Sequence, residues 1–410
     1  MPESGTAELP PADHGAACAP DGAGLANEPR ARQEDRAVCD LALVTDRAAF
    51  DALGREWADL FARGGRPHQV FQTFDWLWHW ANHYLDDGAS LSIVTGRCEG
   101  RLALVWPLVS SRVLGLRILS FMGEPVGQYG DALVEDRPDA AILLAHALDF
   151  VTKLPIDVLW LRRVRGDAAL AAVLGRGAGR TGAAVQAPYV DFAGATDIVS
   201  FENRLSAKFR SGQRRHLRRL EAIGPVAFER HGPGAQAPAL VRLAIGFKRD
   251  WAVQNGRIAP TIFDPRLESF FADAASGDGR GPDLRVSVMA CAGEPIGVEI
   301  SLACKGWLFG HVLAPKPGFE KQGAGALLAG HSIASATEEG FGGYDLLAPA
   351  DRYKMEWASG CIEVRDFALA RSFAGRIFKW IWIDFGRDAC RSIAKSLPPS
   401  LVRLLIGRAA

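Results

Sequence analysis

Apolar residues recur along this chain with two periods, and the switches between them mark its elements. C-D-L-A-L-V from Cys39 reads as a strand and residues 48–63 as a helix. In V-F-Q-T-F-D-W-L-W-H-W-A-N-H-Y, Trp76, Trp80 and Tyr84 recur at i, i+4 and i+8, a stripe that buries one helix face, with Thr73 or Asp75 as its cap. His79 and His83 share the i, i+4 spacing of a zinc helix, but Trp80 stands where such a helix needs Glu, which favours packing. L-S-I-V-T-G-R and R-L-A-L-V-W-P-L-V flank the turn Glu99-Gly100 and predict a hairpin. Strands L-R-I-L-S-F-M-G and Q-Y-G-D-A-L-V, a helix over 138–154 and the strand D-V-L-W-L-R-R-V complete a first unit, closing near Ala193.

The second half repeats that order. Helices over 238–255 and 265–275 precede the hairpin L-R-V-S-V-M-A / C-A-G-E-P-I-G / V-E-I-S-L-A, and C-K-G turns the chain into an apolar strand from Trp307 to Leu313. Pro315, Pro317 and Gly318 break that run; a helix of small and apolar residues follows and ends at Gly340. A short strand at 344–347, the segment Asp351-Arg352-Tyr353-Lys354 and a last strand I-E-V-R-D-F-A-L close the unit. The repeat predicts an α/β chain of two tandem domains, 37–197 and 198–375, each a mixed, mostly antiparallel sheet flanked by helices. Residues 1–36, rich in Ala, Pro, Gly and Asp, are expected to form a disordered tail.

The turn from strand to helix after Pro317 carries the first candidate chemistry. Gln322, Gly323, Ala324, Gly325 and Ala326 open the helix, where the first N–H groups have no intrahelical partner and the dipole favours an anion. The two glycines let a phosphate approach the backbone. No G-K-[ST] follows, and G-x-G-x-x-G is absent. The alternative is a Gly-rich turn that only starts a core helix.

Composition narrows the setting. The 410 residues are 48% hydrophobic, with 47 basic and 47 acidic side chains, so no global field draws in nucleic acid or membrane. Seven cysteines without a C-x-x-C pair suggest free thiols in a reducing compartment and no zinc site, and no run reaches the roughly 18 apolar residues of a membrane span. A cytoplasmic protein is expected. One local exception is K-F-R-S-G-Q-R-R-H-L-R-R-L-E, a helix over 206–222 that gathers Arg214 and five other cations while Phe209, Leu217 and Leu220 pack. It is a solvated face, a groove for phosphates, or a lipid contact. A second exception is the tail 376–410, whose Trp380 and Trp382 with Arg376, Lys379, Arg387, Arg391 and Lys395 suit either an interfacial helix or packing back on the protein. Tyr129 and Asp131, in a Gly-flanked loop after a strand, are either site residues or a surface turn.

Taken together, F-Q-T-F-D-W-L-W-H-W, the hairpin ending V-W-P-L-V, R-R-H-L-R-R-L-E-A-I-G-P-V-A-F, G-E-P-I-G and Y-D-L-L-A-P-A-D-R-Y-K followed by V-R-D-F resemble the Fem-like tandem GNAT acyltransferases. The resemblance covers residues 38 to 375 and is particularly to the CelD-type branch linked with cellulose biosynthesis. Q-G-A-G-A is similar to the pyrophosphate loop of that superfamily, with Gln322 out of the usual register and K-Q-G-A-G in place of small-P-G. The resemblance implies two GNAT-like domains, acetyl-CoA or another acyl-CoA as donor without a metal, and direct attack on its thioester. It also implies an acceptor that is a small molecule or a sugar or cell-envelope precursor. An oxyanion N–H would come from the strand around His311 to Leu313. Glu299, His311 and Asp345 are candidate bases, but each has a plainer reading: an edge charge, a hydrogen-bonded core histidine and a turn cap, respectively. Tyr353 and Lys354 carry over from the motif, Tyr353 to protonate the leaving thiolate and Lys354 to hold a phosphate or the oxyanion. Alternatives are an aminoacyl-tRNA-dependent Fem-type transferase, with tRNA on the basic helix, and a non-catalytic scaffold for polysaccharide synthesis anchored by its tail.

Overall fold

The computed structural model describes residues 39–390, except 86, 87, 178, 196, 278, 280 and 388. The expected tail 1–36 and the last part of 376–410 therefore lie outside the described residues. The first half contributes strands β1 (Cys39–Val44), β2 (Ala89–Leu91), β3 (Ile93–Cys98), β4 (Arg101–Trp106), β5 (Leu108–Val113), β6 (Leu116–Phe121), β7 (Leu133–Val134), β8 (Val158–Arg165) and β9 (Gly179–Asp191). Its helices are α1 (Arg47–Ala52), α2 (Gly54–Gly64), α3 (Phe74–Tyr84), α4 (Ala140–Lys153) and α5 (Ala171–Gly177), with a 3-10 turn over Pro67–Gln72. The second half has α6 (Ile198–Glu202), α7 (Ala207–Glu221), β10 (Val226–His231), α8 (Ala237–Gln254), α9 (Pro260–Phe263) and α10 (Pro265–Ala274). There follow β11 (Asp283–Cys291), β12 (Glu294–Cys304), β13 (Trp307–Pro315), α11 (Ala324–Glu338), β14 (Gly343–Asp345), α12 (Arg352–Trp357), β15 (Gly360–Ala370), α13 (Phe373–Phe378) and a π-helix over Lys379–Gly386.

Local chemistry explains most of these elements. Glu99-Gly100, Leu114-Gly115, Ala292-Gly293 and Lys305-Gly306 all have positive φ at both positions, the two-residue hairpin turn whose twist matches the strands it joins. Ser206 caps α7 by accepting from the Phe209 N–H, and Asp264 caps α10. Trp76, Trp80 and Tyr84 are buried as their spacing requires.

Four strands pair as β1-β3-β4-β7, and eleven form one sheet in the order β10-β11-β12-β13-β14-β9-β15-β8-β6-β5-β2. Only β13 with β14 and β6 with β8 run parallel among the described pairs. The architecture is the expected mixed, mostly antiparallel α/β arrangement. The expected boundary at 197/198 lies just before α6, capped by Asp197, yet the large sheet passes through it. β15 inserts between β8 and β9 of the first half, and β9 joins β14 of the second.

Strand β9 has no counterpart in the sequence reading. G-R-T-G-A-A-V-Q-A-P-Y-V-D is poor in β-branched residues and holds a proline, so its conformation follows from pairing on both sides. The cysteine reading also needs correction. Cys39 and Cys98 face each other across β1 and β3 with Cα atoms 4.2 Å apart and form a disulfide, while Cys291, Cys304, Cys361 and Cys390 are free. Uniformly free thiols were expected because strand register is invisible in cysteine spacing, and the argument for a reducing compartment loses that support.

Candidate active site

The site begins with how β13 parts from β14. Their pairing covers only Trp307 with Gly343, Leu308 with Tyr344 and Phe309 with Asp345. β13 then runs on to Pro315 without a partner on that side, while β12 stays paired along its other edge. The β12–β13 register jumps from Ile300 opposite Val312 to Ser301 opposite Gly310, so His311 is the extra residue of a bulge. Such a bulge increases local twist and turns the strand away from its neighbour. The result is a slot along residues 310–315 into which alternate backbone groups point, Leu313 among the residues on its edge.

At the apex of the slot stands a carboxylate with phenols around it. Glu299 is on the face of β12 toward α11, opposite Val298, Ile300 and Leu302, which pack on the α8 side. The Tyr344 hydroxyl donates to Glu299 Oε1, and Glu299 Oε2 is buried without a partner. A Cβ on Gly310 would lie 2.5 Å from the Tyr344 hydroxyl and 3.0 Å from Glu299 Oε1, so this position must be glycine for the pair to close over β13. Burial pushes the Glu299 carboxyl up to about 7, against the pull of the Ser332 and Tyr344 hydroxyls. Tyr344 and Tyr353 are both pushed above the usual phenol range, by burial first and by the Glu299 charge second. Tyr344 is thus in direct contact with Glu299, and Tyr353 lies within reach of the Glu299 charge. Sequence reasoning missed Tyr344, although alternation in G-Y-D places it on the face opposite to Asp345.

The proposed anion cradle lies beyond the far end of the slot. Gly323 is the α11 N-cap with φ 77°. The Gly323 and Ala324 N–H groups bond back to Glu320 and Phe319, whereas those of Gly325 and Ala326 make no hydrogen bond among the described residues. A Cβ on Gly325 would come no nearer than 3.4 Å to Pro315, an ordinary van der Waals contact, so a side chain fits there. Gly323 is closed instead: a Cβ there would fall 2.4 Å from the His216 ring of α7. Gln322 is half-buried with its Oε1 unpartnered, and Ala324 points into the core. α7 therefore crosses beside the cradle, and Arg219 donates to the Lys321 carbonyl at 3.2 Å. Arg214 is exposed on the same helix.

The other predicted residues lie elsewhere. His311 Nε2 bonds to the Val126 carbonyl at 2.7 Å, with the rings of Phe71, Trp76 and Phe271 around it, and burial lowers its pKa to about 4. That matches a neutral, hydrogen-bonded core histidine. Lys354 is buried, donates from Nζ to the Leu347 carbonyl at 2.9 Å, and is held below the usual lysine range by burial. Asp345 accepts from Tyr129 at 2.9 Å, from the Leu347 N–H at 2.8 Å and from Arg165. Burial opposes the Arg165 charge, but Asp167 and Asp345 raise its pKa overall. Asp131 accepts from Gln69 and from the N–H groups of Ala132, Ala169 and Leu170, so its oxygens are used within the fold.

On the Asp345 face, a cavity of about 380 Å³ is walled by Trp307, Phe309, Tyr189, His68 and the carboxylates of Asp167, Asp191 and Asp345. Sequence reasoning named only Asp345 of these, because the others converge from β9, β13, the 3-10 turn and the loop after β8. A hollow of about 400 Å³ near Ser90, Ser110 and Arg117 contains none of the expected residues. No group of metal-ligating side chains occurs among the described residues, and none of their helices is long and apolar enough to cross a membrane.

None of the curated proteins matches the sequence. FemX has a similar structure, with TM-score 0.54 and 10% identity over 83% of this chain and 99% of that one. A tandem GNAT protein from the clavulanic acid biosynthesis pathway gives 0.46 and 15%, covering 81% and 99%. L-PGS from Bacillus licheniformis gives 0.46 and 11%, covering 89% and 97%. Residues 207–355, which hold the cradle, the slot and the Glu299 cluster, match the family model described as an acetyltransferase (GNAT) domain, which supports a transferase.

Proposed function

We propose that the chain transfers an acyl group from acyl-CoA to an amine or hydroxyl of a sugar or cell-envelope precursor. The observation that carries this reading is the Glu299–Tyr344–Tyr353 cluster at the apex of a slot whose far end leads to unpaired helix N–H groups. The donor diphosphate would lie on the Gly325 and Ala326 N–H groups, with the thioester along residues 310–315. Glu299 would take the proton of the attacking nitrogen or oxygen as the new bond to the acyl carbon forms. The C–S bond then breaks, and Tyr353, kept protonated by its surroundings, would supply the proton that the thiolate needs. The CelD-like resemblance supports an envelope or exopolysaccharide acceptor.

Calorimetric titration with acetyl-CoA tests the donor, and release of free CoA across a panel of amino sugars and sugar precursors tests the acceptor. Absence of acetyl-CoA binding would remove the reading. One feature favours a second possibility: Arg214, Arg215 and Arg218 are exposed on α7 beside the cradle, as an aminoacyl-tRNA donor would require. Salt-sensitive tRNA binding without acetyl-CoA binding would select it.

A further inference from the structure

The end of the described chain is apolar on two opposite sides. Phe378 and Ile383, in α13 and the π-helix that follows, pack on Ile118, Val158 and Ala368. Away from that contact, Phe373 is 71% exposed, Trp380 63%, Ile381 55% and Phe385 61%. Their spacing in steps of about four, with Ile377 between, puts them on one stripe of the helix. Asp384, the acid in this stretch, is turned away to Lys379 and Thr181.

Charge is segregated to the same place. Residues 371–410 contain eight Lys and Arg against two Asp, a net of +6 in a chain whose total is 0, which leaves the preceding 370 residues at −6. Like charge opposes covering the stripe with a second copy of itself. An anionic surface has the complementary sign. Tryptophan beside aliphatic side chains and flanking arginines is the composition of a helix lying in a lipid headgroup layer.

We propose that the stripe Phe373–Ile377–Trp380–Ile381–Phe385 docks this protein on the surface of a bilayer containing anionic lipid. The apolar side chains enter the headgroup–acyl boundary, Arg376 meets the lipid phosphates, and the inner face stays on the sheet. The docking is peripheral and independent of the acyl transfer proposed above.

The test is flotation of the full chain with phosphatidylcholine vesicles and with vesicles carrying about 30% phosphatidylglycerol, an anionic fraction sufficient to attract a polybasic segment. The protein should float only with the anionic vesicles. Trp380→Ser/Ile381→Ser/Phe385→Ser should lower partition at least about tenfold, and Arg391→Gln/Lys395→Gln/Arg403→Gln should lower it and flatten its salt dependence. In the unmutated chain, brominated lipid should quench tryptophan emission, and Trp380→Phe/Trp382→Phe should abolish that quenching. No flotation with anionic vesicles, or equal flotation of the triple serine variant, overturns the proposal. So does a lipid-free dimer that the serine variant converts to monomer.

Discussion

The Tyr129 hydroxyl donates to Asp345 at 2.9 Å across 216 positions of sequence. Both side chains are buried, and Arg165 holds the same carboxylate from the first half. Asp345→Asn leaves Arg165 short of a buried counter-charge and should destabilise the fold by about 2–3 kcal/mol. Tyr129→Phe removes one hydrogen bond and should cost about 1 kcal/mol. Urea unfolding of both variants checks the order; equal losses would mean that the ion pair contributes nothing beyond the phenol.

Glu299 gives the stability a pH dependence. Its folded pKa of about 7 lies above the unaltered 4.5, so the folded state holds the proton more tightly than the unfolded chain. The stability tied to this group is fully present below pH 4.5 and is lost as pH rises through 7. The decline should reach about 3 kcal/mol, and Glu299→Gln should remove it. Unfolding free energies between pH 5 and 8, wild type against variant, decide the matter. If Glu299 is the base, the rate should rise over the same range to a plateau, and the Gln variant should lose at least about a hundredfold.

A carboxylate at Gly325 should separate donor binding from folding. In the first turn of α11 an aspartate sits favourably in the helix dipole, worth about 0.5 kcal/mol, and there is room for its Cβ. Gly325→Asp should therefore keep or raise Tm while weakening acetyl-CoA binding at least about tenfold by repulsion of the diphosphate. Unchanged affinity would move the donor away from α11. Gly323 is unsuitable for this experiment, since any side chain there strikes His216.

The Cys39–Cys98 bond predicts a thiol count. Seven cysteines less the bonded pair leave five thiols in denatured, unreduced protein and seven after reduction. Because the bond spans 59 residues, its removal should cost about 2–4 kcal/mol. Seven thiols without reductant would show that the strands pair without it.

Much of the second half was legible because its signals are local. Period and punctuation gave α11 and its positive-φ end at Gly340, and the capped basic helix α7. The turn signals gave the β11–β12 hairpin, and alternation put Glu299 on the face away from Val298 and Ile300. What stayed hidden depends on register between distant segments. Asp131 looked like a loop acid, but the turn at 169–170 supplies two of its backbone donors. The His311 bulge that opens the slot is a mismatch in length between β12 and β13, and neither sequence alone records it.

Because β15 is flanked by β8 and β9, neither half can be cut away without tearing a strand out of its neighbours. Expressing residues 198–375 by themselves would strip β14 and β15 of hydrogen-bonding partners and leave raw edges prone to aggregation. A graft of this segment from one protein to another would have to carry β8 and β9 with it. The sheet runs unbroken across the boundary at 197/198, so a donor bound as proposed above would enter between β13 and β14 and not between two separate lobes.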